Sequence, residues 1–177
     1  DANDAYFKGE YELALQKFKL LAEKKEPHAE YSLGVMHLNG HGVTKDYEEA
    51  VRWFKLSAKQ EFPQAQHNLG VMYDKGLGVS QDYVEAVKWF RLSADQGFDW
   101  AQHNLGKMYA DGHGVDQNYE EAIKWFKLSA LKGNDSSATN LGVMYYSGNG
   151  VEQDHKEAVK WYRRGVTKQN PVAEHNL

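Results

Sequence analysis

The sequence predicts an all-α protein, a solenoid of antiparallel helix pairs, on three observations. Leu33, Leu69, Leu105, Leu141 and Leu177 fall 36 residues apart, Gly34, Gly70, Gly106 and Gly142 follow the first four, and Trp53, Trp89, Trp125 and Trp161 keep the same interval. A fixed period in the range of roughly 20–50 residues marks an array whose units bury their apolar faces against their neighbours. Within a unit the apolar positions have helical spacing: Ala65, Leu69, Met72 and Tyr73 stand at i, i+4, i+7 and i+8. No stretch shows the alternation of a half-buried strand.

The repeat overrides the length prior, so the 177 residues are expected to form a single repeat domain over 1–177. Hydrophobic residues make up 41% and charged residues 26%, as in ordinary globular domains. No apolar run approaches the roughly 20 residues that cross a bilayer, so no membrane insertion is expected. A formal charge of −4 gives no general attraction to nucleic acid. With no cysteine, disulfides, thiol catalysis and Cys-ligated metal are excluded. The opening at Asp1, with neither Met nor an apolar leader, reads as processed or cut from a longer precursor.

The first unit, 1–27, is degenerate. A short helix over about 2–8, a tight turn at Gly9 and a second helix over about 11–24 are expected, with Lys17 where later units carry Trp. Full units follow at 28–63, 64–99, 100–135 and 136–171, and 172–177 repeats the opening of another. Each begins with a helix of about eleven residues. The glycine inside it costs roughly 1 kcal/mol of propensity, so its recurrence predicts a helix crossing too close for a Cβ.

Two glycines then form the connector: Gly40 and Gly42, Gly76 and Gly78, Gly112 and Gly114, Gly148 and Gly150. The first of each pair suits the left-handed position after a helix. Val43, Val79, Val115 and Val151 are expected to anchor the loop. The second helices open with Asp46-x-x-Glu49, Asp82-x-x-Glu85, Asn118-x-x-Glu121 and Asp154-x-x-Glu157, close to a capping box. Gly97 and Gly133 stop the second and third of these helices, and Pro63 and Pro171 follow the first and fourth.

The run Ala65-x-x-x-Leu69-Gly70-x-x-Tyr73, then Gly76-x-Gly78-Val79, then Asp82-Tyr83-x-x-Ala86-x-x-Trp89-Phe90 closely resembles the Sel1-like repeat, a relative of the tetratricopeptide repeat. The likeness recurs in four units, with His37 and His155 replacing a Tyr and Ser137 an Ala; the short-looped first unit looks more like a plain tetratricopeptide repeat. The resemblance implies a right-handed α/α superhelical solenoid whose first helices line a concave groove. It also implies adaptor or scaffold work through another protein or peptide segment, without catalysis or cofactor. The opening residues look like the mature start of exported members, implying the bacterial periplasm or secretion, with the cytoplasm as the alternative. Nothing in the sequence names the partner or the oligomeric state.

Asn68, Asn104, Asn140 and Asn176 precede the Leu-Gly pair and should form a ladder; an amide both donates and accepts hydrogen bonds, so it can hold a peptide backbone, or only fix the stack. By the family's pattern the groove positions are Tyr31 and Asn39, then His67, Asn68 and Lys75. Next come Trp100, His103, Asn104, Lys107 and Asp111, and finally Thr139, Asn140 and Tyr146. Trp100 lies outside the periodic column; a large rigid aromatic suits a binding contact, which makes it the leading candidate, with the covering of an apolar gap between units as the alternative.

Other chemistry finds little support. His67, His103 and His175 recur at equivalent positions, but units of packed helices are spaced at about 10 Å, too far for one zinc ion. The Trp column reads as core rather than as a stacking platform. Lys and Arg late in the second helices are offset by Glu48, Glu49, Glu85, Glu120 and Glu121 one turn earlier. The Gly-x-Gly loops follow no strand, so they do not read as dinucleotide sites. Two alternatives remain open: β-lactam binding or hydrolysis, as suggested for Cys-rich relatives, although no Ser-x-x-Lys motif is present, and a purely structural spacer.

Overall fold

The structure, a computed structural model, describes residues 1–166. Ten helices and no strand occur among the described residues: α1 (Ala2–Phe7), α2 (Tyr11–Ala22), α3 (Pro27–Asn39), α4 (Tyr47–Lys59), α5 (Pro63–Lys75), α6 (Tyr83–Asp95), α7 (Asp99–Asp111), α8 (Tyr119–Leu131), α9 (Asp135–Ser147) and α10 (His155–Val166). The described residues fall into two compact units, Asp1–Ser93 and a second that begins at Ala94. The expected opening of a further unit at 172–177, together with Pro171, His175 and Asn176, lies outside the described residues.

The first helices run 13 residues and start one position ahead of the expected unit boundaries. In α3 and α5 the cause is proline at the first helical position, where its missing N–H is no loss. Pro63 therefore opens α5 as well as following α4. Gly40, Gly76, Gly112 and Gly148 take the left-handed cap, with φ of 65° to 75°, and each N–H returns to the carbonyl of the methionine four residues back.

The second helices are capped as expected on one side only. Asp46, Asn118 and Asp154 accept from the backbone N–H groups of Glu49, Glu121 and Glu157 at 3.0 Å. The glutamates do not close the box. They turn outward to the next turn, where Glu49 meets Arg52 at 2.6 Å, Glu121 meets Lys124 at 2.5 Å and Glu157 meets Lys160 at 2.7 Å. A reciprocal capping box does form at Asp1 and Asp4.

In the first unit, Ala14, Phe18, Leu33 and Met36 form one core cluster, and Ala50, Phe54, Leu69 and Met72 the next. Trp53 packs against the first cluster and Trp89 against the second. In the second unit Trp161 packs against the cluster of Ala122, Phe126, Leu141 and Met144. Each of these indoles closes the preceding helix pair, and the Nε1 atoms of all four periodic tryptophans are enclosed. They are core, not a platform. Serines tie pair to pair: Ser57 Oγ donates to the Pro27 carbonyl at 2.7 Å, and Ser129 Oγ to that of Asp99 at 2.8 Å. Val43, Val79 and Val151 pack onto these clusters, as their loops require.

Candidate functional site

The predicted groove residues all sit on first helices, because the same face turns inward to Leu and Gly and leaves its flanks to solvent. In the first unit Asn39 and Lys75 are exposed, while Tyr31, His67 and Asn68 are half-buried. Burial pushes the Tyr31 phenol above its ordinary range, and the Asn68 side chain on α5 opposes that shift. The His67 Nδ1 lies 3.2 Å from Asn68 Oδ1. Here the ladder amide is occupied by its own protein.

Beside Tyr31 a cleft of about 210 Å³ opens between α1, α2 and α3, lined by Asn3, Tyr6, Phe7, Phe18, His28, Ser32 and Val35 as well. Asn3, Tyr6 and Phe7 were absent from the sequence-derived set. The degenerate first unit hides them, since α1 is only six residues long and has no Leu-Gly register to align on. Tyr6 is held in place by a 2.8 Å bond between its hydroxyl and His41 Nδ1. Phe7 stands 85% exposed at the rim.

In the second unit Lys107, Asp111, Thr139 and Tyr146 are exposed and Asn104 and Asn140 half-buried. Lys107 and Asp111, one turn apart on α7, and Asn140 on α9 converge on a second cleft of about 250 Å³, joined by Ala110, Val143 and Asn149. The cleft therefore offers a cation, a carboxylate and two amides around an apolar floor. Trp100 is 51% exposed, at the start of α7, with its ring edge toward His103 at 6.3 Å. Tyr146 packs against His155 at 4.9 Å, and Thr139 Oγ1 donates to the Asp135 carbonyl at 3.0 Å.

His103 has a different place from its neighbours. It is buried, its ring lies 5.7 Å from that of Phe126, and its Nδ1 is 2.8 Å from Ser137 Oγ. Ser137 Oγ in turn donates to Ser129 Oγ at 2.8 Å, and Ser129 Oγ donates to the Asp99 carbonyl. With both hydroxyl protons committed, His103 Nδ1 must carry its own proton and act as donor. A His–Ser contact of this kind invites comparison with a nucleophile and its base. The order of donors is the reverse of what activation needs, and Ser129 and Ser137 are fully enclosed. Among the described residues no cluster of three or more His, Asp or Glu is placed to hold a metal.

The Sel1 repeat matches residues 27–62, 63–98, 101–134 and 135–170. Among solved structures, the chain is similar to c5321, a protective antigen of uropathogenic Escherichia coli with an SLR fold: TM-score 0.89, 43% identity, over 92% of this chain and 36% of that one. It is similar as well to a Sel1 repeat protein from Oxalobacter formigenes, with TM-score 0.90 and 38% identity over 96% of this chain and 69% of that one. The chain thus spans little more than a third of the c5321 chain. Helicobacter pylori cysteine rich protein B shares the fold at 19% identity, with TM-score 0.56 over 70% of this chain and 89% of that one. No curated protein gives a significant match. Four matched repeats, each built on the glycine, tryptophan and double-glycine loop described above, show that this chain belongs to the Sel1 repeat family.

Proposed function

We propose that the first-helix faces of this protein bind an extended segment of another protein or peptide, as an adaptor or scaffold and without catalysis. Sel1 repeats commonly serve protein interaction and are generally non-catalytic, which supports the coarse reading. The observation that carries the finer one is the cleft where Lys107, Asp111 and Asn140 converge. Amides supply both a donor and an acceptor to a peptide backbone, and the flanking charges give it polarity. The aromatic cleft beside Tyr31 gives the first unit a place for an apolar side chain. The compartment we propose is the bacterial envelope or exterior, on the likeness of residues 1–15 to exported members; fractionation of the source cell checks it.

The test is capture of partners from native extract with wild type and with a Lys107→Ala, Asn140→Ala double variant. Both substitutions lie on a solvent-facing cleft, so folding should survive. Loss of a partner recovered by the wild type supports the reading; equal recovery by the two removes the cleft from the mechanism. A spacer would recover nothing with either. For the hydrolase alternative, turnover of a chromogenic β-lactam should stay at background, since the His103–Ser137 pair is enclosed.

A further inference from the structure

The second helices carry an outward row that starts at the same repeat position. In α4 it reads Glu48, Arg52 and Lys55, and in α8 Glu120, Lys124 and Lys127. In α10 the row becomes Lys156, Lys160 and Arg163, all exposed. Their i, i+4, i+7 spacing puts them on one face, over about 10 Å of helix. Arg164 is exposed as well, and stands where α4 and α8 have Leu56 and Leu128. With Glu157, these residues give the helix a formal charge of +3 in a chain of −4, and the Arg164 guanidinium lies over the Trp161 ring at 5.7 Å. Asp154, just before it, accepts from the backbone N–H groups of Lys156 and Glu157 and is attracted by Lys156 and Lys160, so one further carboxylate stands at the start of the row. Lys160 pairs with Glu157, whereas Lys156 and Arg163 form no ion pair among the described residues.

We propose that this face of α10 is an electrostatic docking surface for a short acidic segment, rich in Asp and Glu, of a partner protein. The row faces away from the apolar side of the helix, where Trp161 packs on the core and the Tyr162 ring covers Gly142. That arrangement disfavours a bilayer, because helices that lie in a membrane surface present Trp, Phe or Leu to it. The apolar residues exposed on α10 are Val159 and Val166. Charge disfavours a long polyanion: outside α10 the chain sums to −7, which repels a duplex or an extended anionic surface beyond the helix. A short acidic segment matches the row in length, since about three extended residues cover 10 Å. It also gives the arginine a planar carboxylate partner. This surface is separate from the clefts on the first helices, and its test does not depend on them.

The experiment uses the full chain and fluorescein-labelled hexaglutamate, read by anisotropy at about 0.05 M and about 0.3 M salt. Wild type should bind the peptide and lose affinity at the higher salt. Lys156→Glu with Arg163→Glu should weaken binding about tenfold or more at low salt. The neutral pair Lys156→Gln, Arg163→Gln should fall between, and Lys59→Glu on α4, which changes the net charge by as much as that neutral pair, should leave binding as it was. Circular dichroism melting should show all four proteins equally folded. Absence of binding by wild type overturns the proposal, as does equal binding by the charge-reversed pair or equal weakening by Lys59→Glu. Parallel arms with phosphatidylglycerol-containing vesicles and a single-stranded oligonucleotide should bind less well; preference for either overturns the choice of an acidic polypeptide.

Discussion

Gly70 on α5 lies so close to the Phe90 ring on α6 that a Cβ added to it would stand 2.7 Å from Cδ1 and Cε1. Phe90 is 1% exposed, so its ring is enclosed by the protein. The same contact joins Gly34 to Phe54 in the first unit, and Gly106 to Phe126 and Gly142 to Tyr162 in the second. The glycine that weakens each first helix is what lets an aromatic ring of its partner helix sit on the backbone.

Gly70→Ala should therefore destabilise the protein although alanine is the better helix former. Overpacking costs about 1–3 kcal/mol, which exceeds or offsets the roughly 1 kcal/mol gained in propensity. Thermal melting should show a fall; a rise in Tm would mean the ring yields freely.

Lys25 and Glu61 hold φ of 60° and 61°, in the left-handed region, at the positions that Gly97 and Gly133 occupy 36 and 72 residues after Glu61. A side chain there costs about 1–2 kcal/mol, against about 0.4–1 kcal/mol of added unfolded-state entropy for glycine. Glu61→Gly should raise stability by up to about 1 kcal/mol, read as a higher urea midpoint. No gain would show that the Glu61 side chain supplies contacts of equal worth.

Glu30 is buried where α5 and α7 carry Gln66 and Gln102, whose amides donate to the carbonyls of Ala58 and Ala94. Glu30 instead accepts from Gln60 Nε2 at 2.8 Å, and as a carboxylate it has no donor to offer. Burial raises its carboxyl above the ordinary 4.5, with the Gln60 bond opposing. The folded state thus holds this proton more tightly than the unfolded chain. Its contribution is full below the ordinary value and is lost as pH rises through the raised one. Glu30→Gln should then stabilise the protein at neutral pH, with the gain shrinking as pH falls toward 4.5. A gain independent of pH would refute the burial argument.

His103→Ala should cost about 1–3 kcal/mol, since it opens a cavity beside Phe126 and leaves Ser137 Oγ without its donor. Thr139→Ala, at an exposed site, should change stability by less than about 0.5 kcal/mol. Comparable melting curves for the two would contradict the buried hydrogen-bond chain.

Much of this architecture is legible in the residues. The Leu-Gly pair, the Trp column and the left-handed loop glycines each answer a local steric demand, so they announce themselves by recurring. The glutamates after the caps mislead, because Asp-x-x-Glu permits either a closed box or a pair with the next turn's cation, and the cap N–H groups that a box would need already donate to the carbonyls of His37, Tyr109 and Tyr145 on the first helices. His67 and His103 share a register position, yet one is half-buried beside Asn68 and the other enclosed against Ser137. What separates them is the serine that replaces alanine on the next first helix, a contact 34 residues away.

The helix pairs, their period and their buried faces were determined by the sequence alone, because turn chemistry and apolar spacing act within a few residues. Tertiary structure decided which inward-flanking polar groups face solvent and which are consumed by the protein itself. It placed Tyr6 and Phe7 beside Tyr31, set the His67 ring against the Asn68 amide, and drew Lys107, Asp111 and Asn140 to one cleft. Those outcomes depend on where neighbouring helices cross, and no single repeat carries that distance in its own residues.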